Sequence, residues 1–256
     1  MKVKKAVITA AAPDQRKLPV QTIRDMFGEE RSVLEMMVDE IVRAGVDEVC
    51  IVVYPGDENN YKPLLSQHAE RVNFVHQDKP LGYGHALFAA SSFTGEDPFL
   101  HLVGDHLYVK RSKKDIARHL VEIAEEKSCS VSAVQSTREA LITQYGTVGG
   151  SRIQGRDDIY LIDSVVEKPT PTIAEQQLLV PGLRSGHYLC FFGMHVLTSK
   201  IMELLEKNIS KNKNGKVGLS ESLNELAAKE QYLALEKTDF RFNMGTRYGL
   251  MKAQLA

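Results

Sequence analysis

"ITAAAPDQRKLP", residues Ile8 to Pro19, follows an apolar run, Ala6–Ile8, that ends in small residues and then meets an Arg-Lys pair. A short apolar run closing on a loop reads as the buried first strand of an α/β chain. The loop after such a strand is where α/β chains wrap phosphate groups, using glycine so that backbone N–H groups can approach the anion. This loop contains no glycine. Ala12, Pro13, Asp14 and Gln15 offer a methyl group, a missing donor, a negative charge and an amide instead. The lysines before the run imitate a secretion signal, but the run is too short and passes straight into Asp14, Arg16 and Lys17, so a strand is expected.

Strand and helix patterns alternate beyond it. Leu34, Met37, Val38, Ile41 and Val42 follow helical spacing, and Gly45 ends that helix before a β-rich run, Val49–Tyr54. Further strands are expected at Val72–Val75, Phe99–Val103 and Ser130–Gln135, with helices at His85–Ser92 and around Ile116–Ile123. Such a rhythm implies a mostly parallel sheet covered by helices on both faces. The second half reads differently: a hairpin at Thr147–Val166, a proline-bracketed loop with a short helix, and a strand at His187–Phe192. Then come a helix at Lys200–Leu205, a basic exposed loop at Lys207–Lys216, a helix at Leu219–Ala228, strands at Tyr232–Leu235 and Phe240–Phe242, and a last helix from Thr246. The expected architecture is one α/β domain over residues 1–256, a three-layer α/β/α mixed sheet whose later strands add a small β-rich second lobe at one edge.

With 256 residues, 43% hydrophobic and 25% charged, the chain has enough apolar material for one sizeable core. A net charge of -1 gives no electrostatic reason to expect nucleic acid or an anionic membrane as partner. Cys50, Cys129 and Cys190 have no paired spacing, which suits reduced thiols in a cytoplasm rather than disulfides or a zinc site.

Ligands of such sheets bind across the carboxyl ends of the strands. After the third strand, Gly82 and Gly84 flank Tyr83 before a helix, where backbone can lie against a flat base or simply make a tight turn. Gln77 nearby supplies a donor and an acceptor, as a uracil edge needs. After the fourth, Asp105 either caps the next segment or holds a divalent cation such as Mg²⁺. Tyr145-Gly146 exposes backbone to a ligand or starts the hairpin. Glu167 and Lys168, at a strand end before Pro169, can accept sugar hydroxyls and hold a phosphate, or form a surface ion pair. Gly186 stands beside a strand, and Arg16 and Lys17 are either solvated charges or phosphate contacts.

In this order the segments resemble the sugar-phosphate nucleotidyltransferase family, and within it the bacterial uridylyltransferases acting on glucose 1-phosphate. The resemblance covers Lys5 to the final helix and implies the Rossmann-like fold of nucleotide-diphospho-sugar transferases. It implies that Ala11, Ala12, Gln77, Gly82 and Gly84 bind nucleotide, with residues 1–140 as the nucleotide half. Tyr145, Gly146, Glu167, Lys168 and Gly186 then bind sugar phosphate in the half 141–256. Arg16 and Asp105 take catalytic places, and Asp105 with Asn243 the Mg²⁺ site. Where the family reads "AAGxGTR" this chain has Ala10-Ala11-Ala12-Pro13-Asp14-Gln15-Arg16. The segment Gln21–Arg31 has no lysine, and Asn243 stands where the family has Asp. The implied function is uridylyl transfer from UTP to a sugar 1-phosphate, weakened or altered by the eroded loop. Its competitor is a non-catalytic nucleotide-sugar-binding or regulatory protein on the same fold. Homo-oligomers are compatible with both. No G-x-G-x-x-G follows the first strand, which speaks against a nicotinamide-dependent oxidoreductase.

Overall fold

The computed structural model describes residues 1–25, 27–111, 113–212 and 215–255. The first half contributes strands β1 (Lys5–Thr9), β2 (Thr22–Arg24), β3 (Glu30–Ser32), β4 (Glu48–Val53), β5 (Val72–His76), β6 (Phe99–Val103), β7 (His106–Val109) and β8 (Ser130–Arg138). The second half contributes β9 (Gly146–Arg152), β10 (Ile159–Glu167), β11 (His187–Leu197), β12 (Tyr232–Glu236) and β13 (Phe240–Asn243). The α-helices are α1 (Val33–Arg43), α2 (Glu58–Tyr61), α3 (Tyr83–Phe88), α4 (Ser91–Thr94), α5 (Ile116–Lys127), α6 (Pro171–Gln177), α7 (Lys200–Lys211), α8 (Ser220–Ala227) and α9 (Gly249–Gln254).

Nine strands form one sheet in the order β5-β4-β1-β6-β11-β8-β12-β10-β9. The sheet is mixed: β5, β4, β1 and β6 run parallel, and β11 lies antiparallel between β6 and β8. The expected hairpin is present, and β10 is antiparallel to both β9 and β12. These later strands extend the edge of the same sheet, and β11 also reaches β9 through Leu189↔Val148 and Cys190↔Thr147.

Alternation along β1 builds the three layers. Ala6 and Ile8 join the core under α1 and α5, while Val7 joins the opposite core under α3, α7 and α8. In α1, Leu34, Met37, Val38 and Ile41 are buried, and Ser32 caps its start by accepting from the Glu35 amide at 3.1 Å. Cys50, Cys129 and Cys190 are buried and free. Among the described residues no helix is long and apolar enough to cross a membrane.

Several local expectations need correction. The helix expected over His85–Ser92 is two short ones, interrupted at Ala90, where the backbone leaves helical geometry. Helix α7 runs on to Lys211 because Leu204 and Leu205 continue its buried stripe and Lys207 pairs with Glu225 on α8. The exposed loop is therefore shorter than Lys207–Lys216, and its residues 213 and 214 lie outside the described residues. Strand β7 and the β2–β3 ribbon are additional. The β7–β13 pairing matters most, since Asn243↔His106 brings the chain's end beside the loop after β6.

Candidate functional site

A cleft of about 580 Å³ opens over the carboxyl ends of β1, β5 and β6, where an open α/β sheet binds its ligands. Of the residues singled out from the sequence, Ala11, Ala12, Gln77, Gly82, Asp105, Glu167, Lys168 and Asn243 line it.

The loop after β1 forms one wall. The Gln15 and Arg16 amides turn back onto the Ala12 carbonyl at 3.0 and 2.9 Å. The amides of Ala11, Ala12 and Asp14 donate to no protein acceptor among the described residues, so donors remain here although glycine does not. Pro13 and Asp14 line the cleft with them. Arg16 does not. Its guanidinium stacks 4.6 Å from the Tyr54 ring and lies 3.5 Å from the Asp57 carboxylate, which holds it away from the opening.

Gln77 is almost fully buried. Its Nε2 donates to the Gly82 carbonyl at 3.2 Å and to His85 Nδ1 at 3.0 Å. A carbonyl can only accept, so the amide's orientation is fixed and Oε1 is left as an acceptor. Burial lowers the His85 pKa, which keeps the ring neutral and able to accept at Nδ1.

The glycines of this turn have a packing reason as well. A Cβ on Gly82, whose φ is 103°, would stand 2.5 Å from the Val217 carbonyl oxygen; one on Gly84 would stand 2.5 Å from that of Gly218. Gly84 packs beneath the turn and does not line the cleft. Between them, Tyr83 faces the cleft and donates its hydroxyl to His101 Nε2, because His101 Nδ1 carries the proton given to the Val7 carbonyl at 3.0 Å. Burial lowers the His101 pKa to about 4 and raises that of Tyr83 well above its ordinary value.

Asp105 follows β6 at the cleft floor, and its Oδ1 accepts from His106 Nδ1 at 2.6 Å. The Met244 amide donates to the Asp105 carbonyl at 2.9 Å, which seats Asn243 beside it. Asn243 Oδ1 accepts from the Gly245 amide at 2.9 Å, closing a local turn. Among the described residues no group of three or more His, Cys, Asp or Glu side chains gathers as a metal cage. One carboxylate and one amide in an open cleft suit a hard cation that takes most of its ligands from water and phosphate oxygens.

Glu167 and Lys168 close the other side. Their ion pair is long, 3.8 Å, and both side chains are more than half exposed, so it contributes little to stability. Glu167 Oε2 also accepts from Ser220 Oγ at 2.6 Å. Lys168 has φ of 47° immediately before Pro169, a left-handed conformation that costs a non-glycine residue about 1–3 kcal/mol.

Tyr145 and Gly146 sit behind this pair without lining the cleft. The Lys168 amide donates to the Tyr145 carbonyl at 3.1 Å, the Tyr145 ring lies 4.0 Å from the Arg241 guanidinium, and Gly146 leaves room for the Glu167 carboxylate. Gly186 stands apart from the cleft, at the start of β11, where its carbonyl accepts from the Glu139 amide. Lys216 and Gln144 line the cleft and were not singled out. Lys216 belongs to the stretch whose sequence implies an exposed basic loop.

Comparison with known proteins gives the family and the fold. The nucleotidyl transferase family model matches residues 20–255, beginning just past the glycine-free loop. A UTP–glucose-1-phosphate uridylyltransferase of Bacillus subtilis (strain 168) is 26% identical over 283 residues, covering 98% of this chain and 88% of the relative. One from Streptococcus pyogenes serotype M3 is 25% identical, with 99% and 88% covered. Among solved structures, UTP-bound UGPase from Acinetobacter baumannii superposes with a TM-score of 0.78 at 24% identity, covering 99% of this chain and 92% of that one. UDP-glucose pyrophosphorylase complexed with UDP-glucose gives 0.78 at 20%, with 99% and 97% covered. These two likenesses show the fold.

Proposed function

Since the chain belongs to the nucleotidyl transferase family, we propose that it transfers the uridylyl group of UTP to glucose 1-phosphate and releases pyrophosphate. The observation that carries this reading is a single cleft lined by Gln77, Asp105 and the Glu167–Lys168 pair. The relatives' printed activity supports the choice of UTP and glucose 1-phosphate.

The Gln77 Oε1 left over in the turn accepts the N3–H of uracil, and the Gly82 backbone lies against the ring. Cytosine presents a lone pair at that position and is repelled. Glu167 accepts hydroxyls of the hexose, and Lys168 holds the phosphate of the sugar. A phosphate oxygen of glucose 1-phosphate attacks the α-phosphorus of UTP. The bond from that phosphorus to the β-phosphate oxygen breaks, and pyrophosphate leaves with the electron pair. No proton transfer is needed, so catalysis is positioning and charge neutralisation. A divalent cation, Mg²⁺ in our reading, supplies neutralisation of the phosphates when held by Asp105 and Asn243.

Residues 1–140 then serve mainly the nucleotide and 141–256 the sugar phosphate, in a cytoplasmic enzyme. Pro13 removes a donor from the loop, and the exposed Asp14 adds charge repulsion toward the phosphates, screened by solvent. Turnover is accordingly slower than in a relative with a glycine-rich loop.

Melting-temperature shifts test the ligand assignment, because a ligand bound only by the folded state must raise the midpoint. UTP, UDP-glucose and glucose 1-phosphate are expected to stabilise the protein more than adenine or guanine nucleotides do. Equal shifts for all nucleotides, or none for any, would overturn it.

A further inference from the structure

Two lysines, Lys168 and Lys216, line the cleft together with three acids, Asp14, Asp105 and Glu167. Lys168 has Glu167 at 3.8 Å. Lys216 has no carboxylate within ion-pairing distance among the described residues, and its side chain is exposed in the cleft. Its backbone, by contrast, is fixed. The Val217 amide donates to the Leu81 carbonyl at 2.8 Å, and the Gly84 amide to the Val217 carbonyl at 2.9 Å. Asn212 Nδ2 reaches the Lys216 carbonyl at 3.5 Å. The contacts that explain Gly82 and Gly84 are thus also the contacts that set residue 216 beside the turn.

We propose that Lys216 contacts the phosphates of the bound nucleotide, supplying charge that the loop Ile8–Pro19 does not. The inference rests on the reading of this cleft as a nucleotide site. Of the loop's two cations, Arg16 is engaged with Asp57 and Tyr54 outside the cleft and Lys17 does not line it, and the loop's lining side chain of full charge is the carboxylate of Asp14. A polyphosphate bound there meets the loop's amides and one carboxylate but no loop cation, and an unpaired ammonium on a pinned backbone is the complementary group. A flexible lysine stem on fixed backbone lets that ammonium track the phosphates without moving the turn that holds the base.

Titration calorimetry of the full chain with UTP and with uridine separates the possibilities. Lys216→Ala is expected to raise the Kd for UTP about tenfold, the loss of one charge-assisted contact, with uridine affinity and melting temperature unchanged. Lys216→Arg should retain most of the UTP affinity, and Lys216→Glu should lose more than alanine does. Lys211→Ala, which removes the same charge from exposed α7, should leave UTP binding as it was. UTP binding by the unaltered protein that Lys216→Ala does not weaken would overturn the assignment alone. So would a parallel loss of uridine affinity, since the lysine would then act on the turn and not on phosphate. Failure of the unaltered protein to bind either ligand would overturn the nucleotide reading and this proposal together.

Discussion

Replacing Gln77 with alanine removes two different things, and their magnitudes can be worked separately. The first is structural. Gln77 Nε2 makes two hydrogen bonds, to the Gly82 carbonyl and to His85 Nδ1, each contributing about 1 kcal/mol net. In a chain of 256 residues, a loss of about 2 kcal/mol lowers the melting temperature by roughly 4–8 °C. The second is recognition. In the proposed pose Oε1 meets N3–H in uracil and a lone pair in cytosine, so the unaltered protein should prefer UTP over CTP by about 1–3 kcal/mol, roughly 5- to 150-fold in Kd. In Gln77→Ala that ratio should collapse toward one. Calorimetric titration of both proteins with UTP and CTP at fixed Mg²⁺ reads the ratio, and a melting curve reads the structural part. Equal affinity of the unaltered protein for UTP and CTP would refute the orientation of Gln77. So would a Gln77→Ala variant that melts lower yet keeps its base preference.

Gly84→Ala should destabilise the fold by about 1–3 kcal/mol, because its Cβ has no room beneath the Gly218 carbonyl; a variant as stable as the parent in urea titration would contradict that packing. Glu167→Ala and Lys168→Ala should each weaken glucose 1-phosphate and UDP-glucose binding; the melting temperature should stay unchanged in Lys168→Ala, since the ion pair is long and exposed, and fall slightly in Glu167→Ala, which also loses the Ser220 hydrogen bond; unchanged ligand affinity would return them to a surface pair. The His101 imidazole titrates at about 4 in the fold, below its unfolded value near 6.5. The unfolded chain therefore binds a proton that the native state excludes. Stability of up to about 3 kcal/mol is present above pH 6.5 and is lost as the pH falls toward 4. The loss should shrink in Tyr83→Phe/His101→Leu, and an identical pH profile in that variant would show that other groups control acid unfolding. Buried His195, shifted in the same direction, should preserve part of the effect.

Much of the core was legible because its signals are local. The spacing of Leu34, Met37, Val38 and Ile41 marks a helix wherever it packs, and the run Phe99–Val103 is apolar enough to be a central strand. The hairpin of β9 and β10 is announced by its turn residues, Gln154 to Asp158. What escaped depends on contacts distant in sequence. The pairing of β13 with β7 joins Asn243 to His106, and nothing near either residue announces the other. Gly82 and Gly84 were read for their approach to a base, yet the closest backbone is that of Val217 and Gly218. Lys216 was hidden for the same reason: a charged residue in an Asn- and Gly-rich stretch looks like solvated loop until the amides of Val217 and Gly84 tie it to the turn. Arg16 illustrates the opposite case. Its place after β1 suggested phosphate, and only the positions of Tyr54 and Asp57 reveal what it touches here. Gly186 is separated from the cleft because β11 runs well past the carboxyl end of β6 before it pairs with it.

The most direct test of the central claim is pyrophosphate release from UTP and glucose 1-phosphate, followed with and without Mg²⁺ and with UDP-glucose identified as the second product. UDP-glucose should form in a cation-dependent reaction that is slow beside a relative with a glycine-rich loop, and Asp14→Gly should bind UTP more tightly than the unaltered protein. Binding of UDP-glucose with no product from UTP and glucose 1-phosphate at any Mg²⁺ concentration would contradict it, and would make the cleft that of a nucleotide-sugar-binding protein without transferase activity.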